Sequence, residues 1–129
     1  TTDDVPAYLA KAAVKACIRL PAKAIVLDTL RGSTARRVAG FRPKVPVYAM
    51  CYDERTMREL GLSYGVSGHS MTKQPKHSDE FVSVSLEHLS KHHKDVREND
   101  VVVMLAGNFT SSKKATFIEV DTVKNLRKK

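Results

Sequence analysis

The sequence predicts an α/β domain, a three-layer sandwich in which helices cover both faces of a mainly parallel five-stranded sheet. Short apolar runs alternate with segments whose apolar residues recur at helical spacing. The strongest strand signal, VVVMLA at residues 101–106, has the continuous apolar character of a strand buried on both faces. The last predicted strand follows after a loop too short for a crossover helix, so we expect it to lie antiparallel at the sheet edge.

Length and composition limit the class of protein. The 129 residues are a typical single-domain size, so we expect residues 1–129 to form one domain. No apolar run approaches the ~20 residues that span a bilayer. Two cysteines are too few for a disulfide framework, which favours a cytoplasmic location. The chain begins without Met and without a signal-peptide pattern, so we interpret it as a piece of a longer chain.

The first helix and the first strand are marked by their boundaries. Residues 6–20 carry apolar side chains at helical spacing after Asp3 and Asp4, which favour a helix start. Pro21 ends that helix. Residues 23–28 then have the length and the β-branched content of a buried strand. These signals predict a helix that leads directly into the sheet.

A turn that can bind an anion follows this strand. Residues 29–34 (TLRGST), called the 29–34 loop below, supply hydroxyls and one glycine, which suits a chain that turns and then caps a helix. That helix covers residues 34–39 and Gly40 can end it, before a second strand at residues 45–51. Amide N–H groups and a positive dipole end would face a bound anion. The residues alone suit equally well a plain turn whose hydroxyls only cap the helix.

The second half of the chain predicts two helices and three strands. Residues 53–62 have an acidic start, and residues 78–94 open on Ser-Asp-Glu and repeat one apolar face. The strands are predicted over residues 66–71, 101–106 and 115–123. Ligands of open parallel sheets bind beyond the carboxyl ends of the strands. We therefore expect the 29–34 loop and the polar loop at residues 108–114 to face each other across a site.

The net charge of +8 attracts anions of many kinds, so its distribution matters more than its size. Five cations surround the 29–34 loop and its helix: Arg31, Arg36, Arg37, Arg42 and Lys44. We interpret Arg36 and Arg37 as a solvated helix face and Arg42 as a side chain that fixes a loop by binding carbonyl oxygens. The basic tail, residues 124–129, is expected to be solvated and partly frayed. An aromatic content of 6% without an RNA- or DNA-binding motif disfavours nucleic-acid binding.

The histidines and cysteines predict no metal or catalytic site. His88 and His92 have the i, i+4 spacing of a metal chelate, but no third ligand accompanies them in sequence, so we interpret them as a solvated face. His69 and His77 are isolated, and ordinary surface or loop positions are expected for both. Cys51 ends a predicted strand without a histidine nearby in sequence, which favours a half-buried thiol over a nucleophile.

Several short sequence motifs occur along the chain, and their order is more specific for a protein family than any single motif. They are KAIVLDT (residues 23–29), TLRGSTA (29–35), FRPKVPV (41–47), YGV (64–66), NDVVV (99–103) and Gly107. This order resembles the C-terminal domain of pyruvate kinase. The resemblance covers nearly the whole chain, and the FRPKVP phrase is its most specific part.

The resemblance implies a regulatory and oligomerisation domain of a tetrameric glycolytic enzyme. In that family, phosphoryl transfer from phosphoenolpyruvate to ADP, giving pyruvate and ATP, takes place in a separate (β/α)8 barrel that uses Mg²⁺ and K⁺. We therefore expect this chain to be inactive alone, with no catalytic residue, metal or cofactor. The implied partners are a phosphate-bearing effector, the barrel of the same parent chain and further copies in a homo-tetramer, rather than nucleic acid or a membrane. The alternative is a free-standing sugar-phosphate sensor with the same fold.

The resemblance also implies an effector site made of two loops. Its residues would be Thr29, Arg31, Gly32, Ser33 and Thr34 in the first loop and Ser111, Ser112 and Lys113 in the second. Three positions depart from the pattern of effector-binding members. Leu30 replaces a frequently polar residue, Arg31 replaces a Ser, and Ser83 stands where members that bind a bisphosphate can have Arg. These departures disfavour fructose 1,6-bisphosphate and predict another phosphate-bearing ligand.

Overall fold

The computed structural model describes residues 4–92, 95–106 and 117–128, with the side chains of residues 4–6 excepted. The helices in these residues are α1 (Asp4–Arg19), α2 (Ser33–Gly40), α3 (Glu54–Leu60), α4 (Ser78–His92) and α5 (Val123–Arg127). The strands are β1 (Ala22–Thr29), β2 (Val47–Cys51), β3 (Val66–Ser70), β4 (Val101–Ala106) and β5 (Phe117–Thr122). None of the described helices is long and apolar enough to cross a membrane.

The five strands form one sheet in the order β3-β2-β1-β4-β5. The first four strands are parallel, with Ile25 of β1 opposite Val47 on one side and Val103 on the other. Strand β5 pairs antiparallel with β4 at the edge, where Val103 lies opposite Val120. The predicted mainly parallel sheet with an antiparallel edge strand is therefore confirmed.

The core has two layers because successive side chains of a strand point to opposite faces of the sheet. On one face, Ile25 and Leu27 of β1 pack in a cluster with apolar residues of α1, α2 and α3. On the other face, Val26 lies in a cluster with residues of α4 and α5, among them the fully buried Phe81. Helices on both faces confirm the predicted three-layer sandwich.

The basic tail differs from its prediction because part of it forms helix α5. The Thr122 hydroxyl caps this helix by accepting a hydrogen bond from the Asn125 N–H at 3.1 Å. Val123 and Leu126 share one face and are buried against the α4 side of the sheet. The expectation of a frayed end was wrong for this segment, since two apolar residues at helical spacing dock it.

The end of α2 also differs from its prediction. Gly40 is the last residue of the helix, and the left-handed position falls on Arg42, whose φ is 51°. Pro43 disfavours a right-handed helical conformation in the residue before it. The Arg42 N–H donates to the Ala39 carbonyl at 2.9 Å, whereas its guanidinium forms no hydrogen bond with any described residue. The expectation that this side chain binds carbonyl oxygens was therefore wrong.

Candidate functional site

The 29–34 loop is closed by one internal hydrogen bond. The Gly32 N–H donates to the Thr29 hydroxyl oxygen at 2.9 Å, and Thr29 itself is almost completely buried. Gly32 has a φ of 93°, in the left-handed region that favours glycine. Thr29 is therefore placed to hold the loop in shape, while the residues after it face solvent or the helix start.

The amino end of α2 presents the donors that an anion requires. Its first internal hydrogen bond runs from the Arg36 N–H to the Gly32 carbonyl at 2.9 Å. The amides of Ser33, Thr34 and Ala35 precede that bond and have no acceptor within the helix. No described side chain caps this end. The aligned amides and the helix dipole favour a negative group here.

Two arginines flank these amides. Arg31 lies in the loop with an exposed side chain. The Arg36 guanidinium folds back along α2, and its Nη2 donates to the Arg31 carbonyl oxygen at 3.2 Å. The expected solvated face is correct in that both Arg36 and Arg37 are exposed, but the hydrogen bond of Arg36 to the loop was not expected.

A threonine from α3 fastens the loop, and the sequence did not suggest its role. The buried Thr56 hydroxyl lies 3.1 Å from the Leu30 carbonyl and 3.1 Å from Asp53 Oδ2, so its one proton can reach either acceptor. The Thr56 N–H also donates to Asp53 Oδ1 at 2.7 Å, which caps α3. This N–H is the main reason why the pKa of Asp53 is lowered.

A buried carboxylate lies directly before the loop. Asp28 is fully buried at the end of β1, and Tyr52 donates a hydrogen bond to its Oδ2 at 3.4 Å. Burial, followed by the charge of Asp28, raises the pKa of Tyr52 well above its usual value. The sequence signal that could have indicated the Asp28–Tyr52 pair was an acidic residue that follows the apolar run of β1.

Other predicted residues fall elsewhere. Ser111, Ser112 and Lys113 lie outside the described residues, and so does the loop at 108–114 that was expected to complete the site.

Burial raises the pKa of the Cys51 thiol to about 11, and the side chain is fully buried rather than half-buried as expected. It is therefore poorly placed to act as a nucleophile.

The histidine prediction was wrong for His69, which is not isolated. A hydrogen bond of 2.9 Å joins its Nδ1 to His88 Nε2, one nitrogen donating and the other accepting. The ring of His92 stacks at a tilt against that of His88, with centroids 4.4 Å apart. Across the described parts of the chain, no three His, Cys, Asp or Glu side chains are grouped so that they could hold a metal ion.

The fold is an open α/β domain in which the 29–34 loop and the amino end of α2 lie at the carboxyl end of the central strand β1. A family model described as "Pyruvate kinase, alpha/beta domain" matches residues 8–120. The pyruvate kinase of Borreliella burgdorferi is 37% identical over 123 residues, which are 94% of this chain and 26% of that protein. The pyruvate kinase of Clostridium acetobutylicum is 39% identical over 89 residues, 68% of this chain and 18% of that protein.

The chain belongs to the pyruvate kinase alpha/beta domain family, because the family model matches most of its length. It spans about a quarter or less of the curated relatives it matches. Among solved structures, Cryptosporidium parvum pyruvate kinase in complex with ADP has a similar fold, with a TM-score of 0.80 and 22% identity over 92% of this chain and 24% of that one. The expected family and fold are therefore confirmed.

Proposed function

We propose that this chain is the regulatory and oligomerisation domain of a pyruvate kinase and that it binds a phosphate-bearing effector at the 29–34 loop. Family membership supports the first part of the proposal. Phosphoryl transfer from phosphoenolpyruvate to ADP, with its Mg²⁺ and K⁺, would belong to a catalytic barrel elsewhere in a longer cytoplasmic chain. Ile18, Leu62 and Tyr64 are each more than three-quarters exposed, so a partner subunit or domain that covered them would bury apolar surface.

One observation is the main support for the effector site. Gly32 turns the chain so that the first N–H groups of α2 point out of the amino end of the helix, beside Arg31 and Arg36. A phosphate group can accept hydrogen bonds from such amides while guanidinium groups offset its charge. Ser33 and Thr34 would add hydroxyl donors. Thr29 and Thr56 would act indirectly, by holding the loop.

The charges of the site favour a single phosphate over a bisphosphate. Ser83, where bisphosphate-binding members can have Arg, is an exposed and uncharged side chain on α4. The cations described at the loop, Arg31 and Arg36, are both next to the amino end of α2. We therefore propose a sugar monophosphate as the class of effector.

Titration calorimetry tests this assignment. We expect glucose 6-phosphate to bind at least as tightly as fructose 1,6-bisphosphate, and inorganic phosphate to bind more weakly. Arg31→Ala and Thr34→Ala should each weaken binding by about tenfold, since each removes a hydrogen bond to a charged group. Arg37→Ala is the matched control, because it removes the same charge from the last turn of α2. Equal affinities for Arg31→Ala and Arg37→Ala, or no binding of any phosphate, would refute the effector site.

A further inference from the structure

Three imidazole rings meet where strand β3 lies beside helix α4. Ser67 and His69 are two residues apart on β3, so both side chains point to the face of the sheet that α4 covers. His88 and His92 are four residues apart on α4 and therefore lie on one face of that helix. The packing of α4 on the sheet brings His69 Nδ1 within 2.9 Å of His88 Nε2.

The three rings, His69, His88 and His92, are called the histidine cluster below, and they link the strand to the helix. The Ser67 hydroxyl lies 3.2 Å from His69 Nε2 and can donate to it or accept from it. The ring of His92 packs against that of His88, and the ring of Tyr48 lies at 73° to that of His69 with centroids 5.8 Å apart. The bond between the two imidazoles requires one facing nitrogen with a proton and one without.

Strand β3 has little else to hold it against α4. It is an edge strand, paired only with β2 in the described sheet. Among the described residues, none from β3 belongs to the buried apolar cluster on the α4 face. Gly68 packs closely on the other side, where an added Cβ would lie 3.0 Å from Met57 Cγ of α3. The contact between β3 and α4 therefore depends largely on the histidine cluster, and few buried apolar contacts make a segment prone to local opening.

The charged groups near the histidine cluster leave it sensitive to added protons. Glu87 is already paired with Lys91 at 3.3 Å and with Arg127 at 3.4 Å. The Tyr48 hydroxyl keeps its proton, because burial and then the charge of Asp95 raise its pKa. Asp95 is exposed, so water and salt screen its attraction for an imidazolium. The centroids of the two bonded rings are 4.9 Å apart, so two positive charges there would repel each other.

We infer that the histidine cluster is a pH-sensitive switch that holds β3 against α4 at neutral pH and releases the strand in mild acid. The bonded pair accommodates one added proton, because an imidazolium N–H still donates to a neutral partner. A second proton places N–H groups on both facing nitrogens, so the bond is lost and the two charges repel. This switch does not depend on the effector proposed for the 29–34 loop.

The direction of the pH effect follows from the number of protons bound. In the opened state each ring takes up a proton near pH 6.5, the ordinary midpoint of an imidazole. The closed state excludes at least one of these protons, so the opened state binds more protons in acid. The stability of the closed state is therefore fully present above about pH 6.5 and is lost progressively as the pH falls below that value.

Amide hydrogen exchange of the 129-residue chain tests the inference. The reporter is the Met71 N–H, which directly follows β3 and donates to the Cys51 carbonyl at 2.8 Å. Its protection factor should fall about tenfold between pH 7.5 and pH 5.5, the effect of one excluded proton with an opened-state midpoint near 6.5. The Ile25 N–H, which donates to the Pro46 carbonyl in the central strand, should be better protected at both pH values, since β3 opens before the core.

His88→Gln separates titration from packing. The glutamine oxygen can accept a hydrogen bond from either protonation form of His69, so Met71 protection should be close to that of the wild type at pH 7.5 and nearly constant down to pH 5.5. His69→Asn makes the same test from the strand side if the first variant does not fold. His77→Gln is the matched control, because the exposed His77 lies outside the histidine cluster, and this variant should keep the tenfold fall.

The inference is wrong if Met71 protection in the wild type changes by less than about threefold over this pH range, or if His88→Gln and His69→Asn both keep the wild-type fall. Equal protection of Met71 and Ile25 would also overturn it, because β3 would then open only with the whole domain. NMR titration of the imidazole nitrogens gives an independent check on the wild type. The His69–His88 pair should take up its second proton at least about one pH unit below 6.5, and two rings that both titrate near 6.5 would refute the switch.

Discussion

Replacing Gly32 by alanine is expected to destabilise the domain because two effects of the new methyl group add. With a φ of 93°, the backbone at this position is one that residues with a Cβ rarely adopt. The added Cβ would also collide with Arg36 Nη1 and lie 3.2 Å from Arg36 Cζ. The substitution therefore strains the backbone and displaces the guanidinium from the loop.

The magnitude follows from these two terms. A left-handed conformation costs an L-residue roughly 1–2 kcal/mol. Arg36 is exposed and flexible, so it can swing away and lose only its hydrogen bond to the Arg31 carbonyl, a loss of about 0.5 kcal/mol at the surface. Reduced freedom of the unfolded chain offsets part of the cost. We expect a net loss of about 1–2 kcal/mol and a fall in Tm of about 3–8 °C for a domain of this size.

Two other glycines make the test internally controlled. Gly65 has a φ of 76° and open space around its Cβ position, so Gly65→Ala measures the backbone term alone. Gly40 is helical with open space, so Gly40→Ala should raise stability by up to about 1 kcal/mol. Urea unfolding followed by circular dichroism gives the free energies. If Gly32→Ala is as stable as the wild type, or Gly40→Ala loses as much as Gly32→Ala, the reasoning is wrong.

Three further predictions concern the helix ends and the thiols. Leu126→Ala should lower the free energy of unfolding by about 2–5 kcal/mol, whereas the exposed Lys128→Ala should change it by less than about 0.5 kcal/mol; equal effects would contradict the docking of α5. Asp53→Ala should destabilise α3 at neutral pH. The folded pKa of Asp53 lies below 3.8, so this side chain stabilises the fold above pH 3.8, and the stabilisation is lost as the pH falls through the folded pKa. The free energies of unfolding of the wild type and Asp53→Ala should therefore converge in acid. The pKa of both Cys17 and Cys51 is raised to about 11, so alkylation by iodoacetamide should be slow at pH 8. The half-buried Cys17 should react before Cys51. Prompt labelling of Cys51 without unfolding would contradict its burial.

Local signals in the sequence predicted most of the secondary structure, because burial on both faces makes a central strand apolar throughout. Strand β4 was predicted with its observed bounds, and β1 differs by one residue at each end. Helix α5 was missed because five residues provide little periodicity. Its charged residues suggested a solvated tail, although the Val123 and Leu126 spacing was present in the sequence.

Contacts between distant residues were harder to predict. His69 and His88 are 19 residues apart, and their hydrogen bond depends on α4 packing beside the edge strand β3. Nothing in the local sequence around His69 specifies that edge position. A spacing rule could therefore find the i, i+4 pair of His88 and His92 but not the partner from the sheet.

The candidate site shows the same division between local and distant contacts. The Gly32 to Thr29 hydrogen bond spans three residues, and the hydroxyls and glycine of residues 29–34 predicted the turn that this bond closes. The expectation that these hydroxyls cap the following helix was wrong, since no described side chain caps α2. The Thr56 bond to Leu30 spans 26 residues and the Tyr52 bond to Asp28 spans 24. Both depend on the parallel register of β1 and β2, which pairs residue 29 with residue 51 and so brings the segments that follow the two strands together. Once the strand order is known, the residues after β2 become the natural candidates for holding the 29–34 loop.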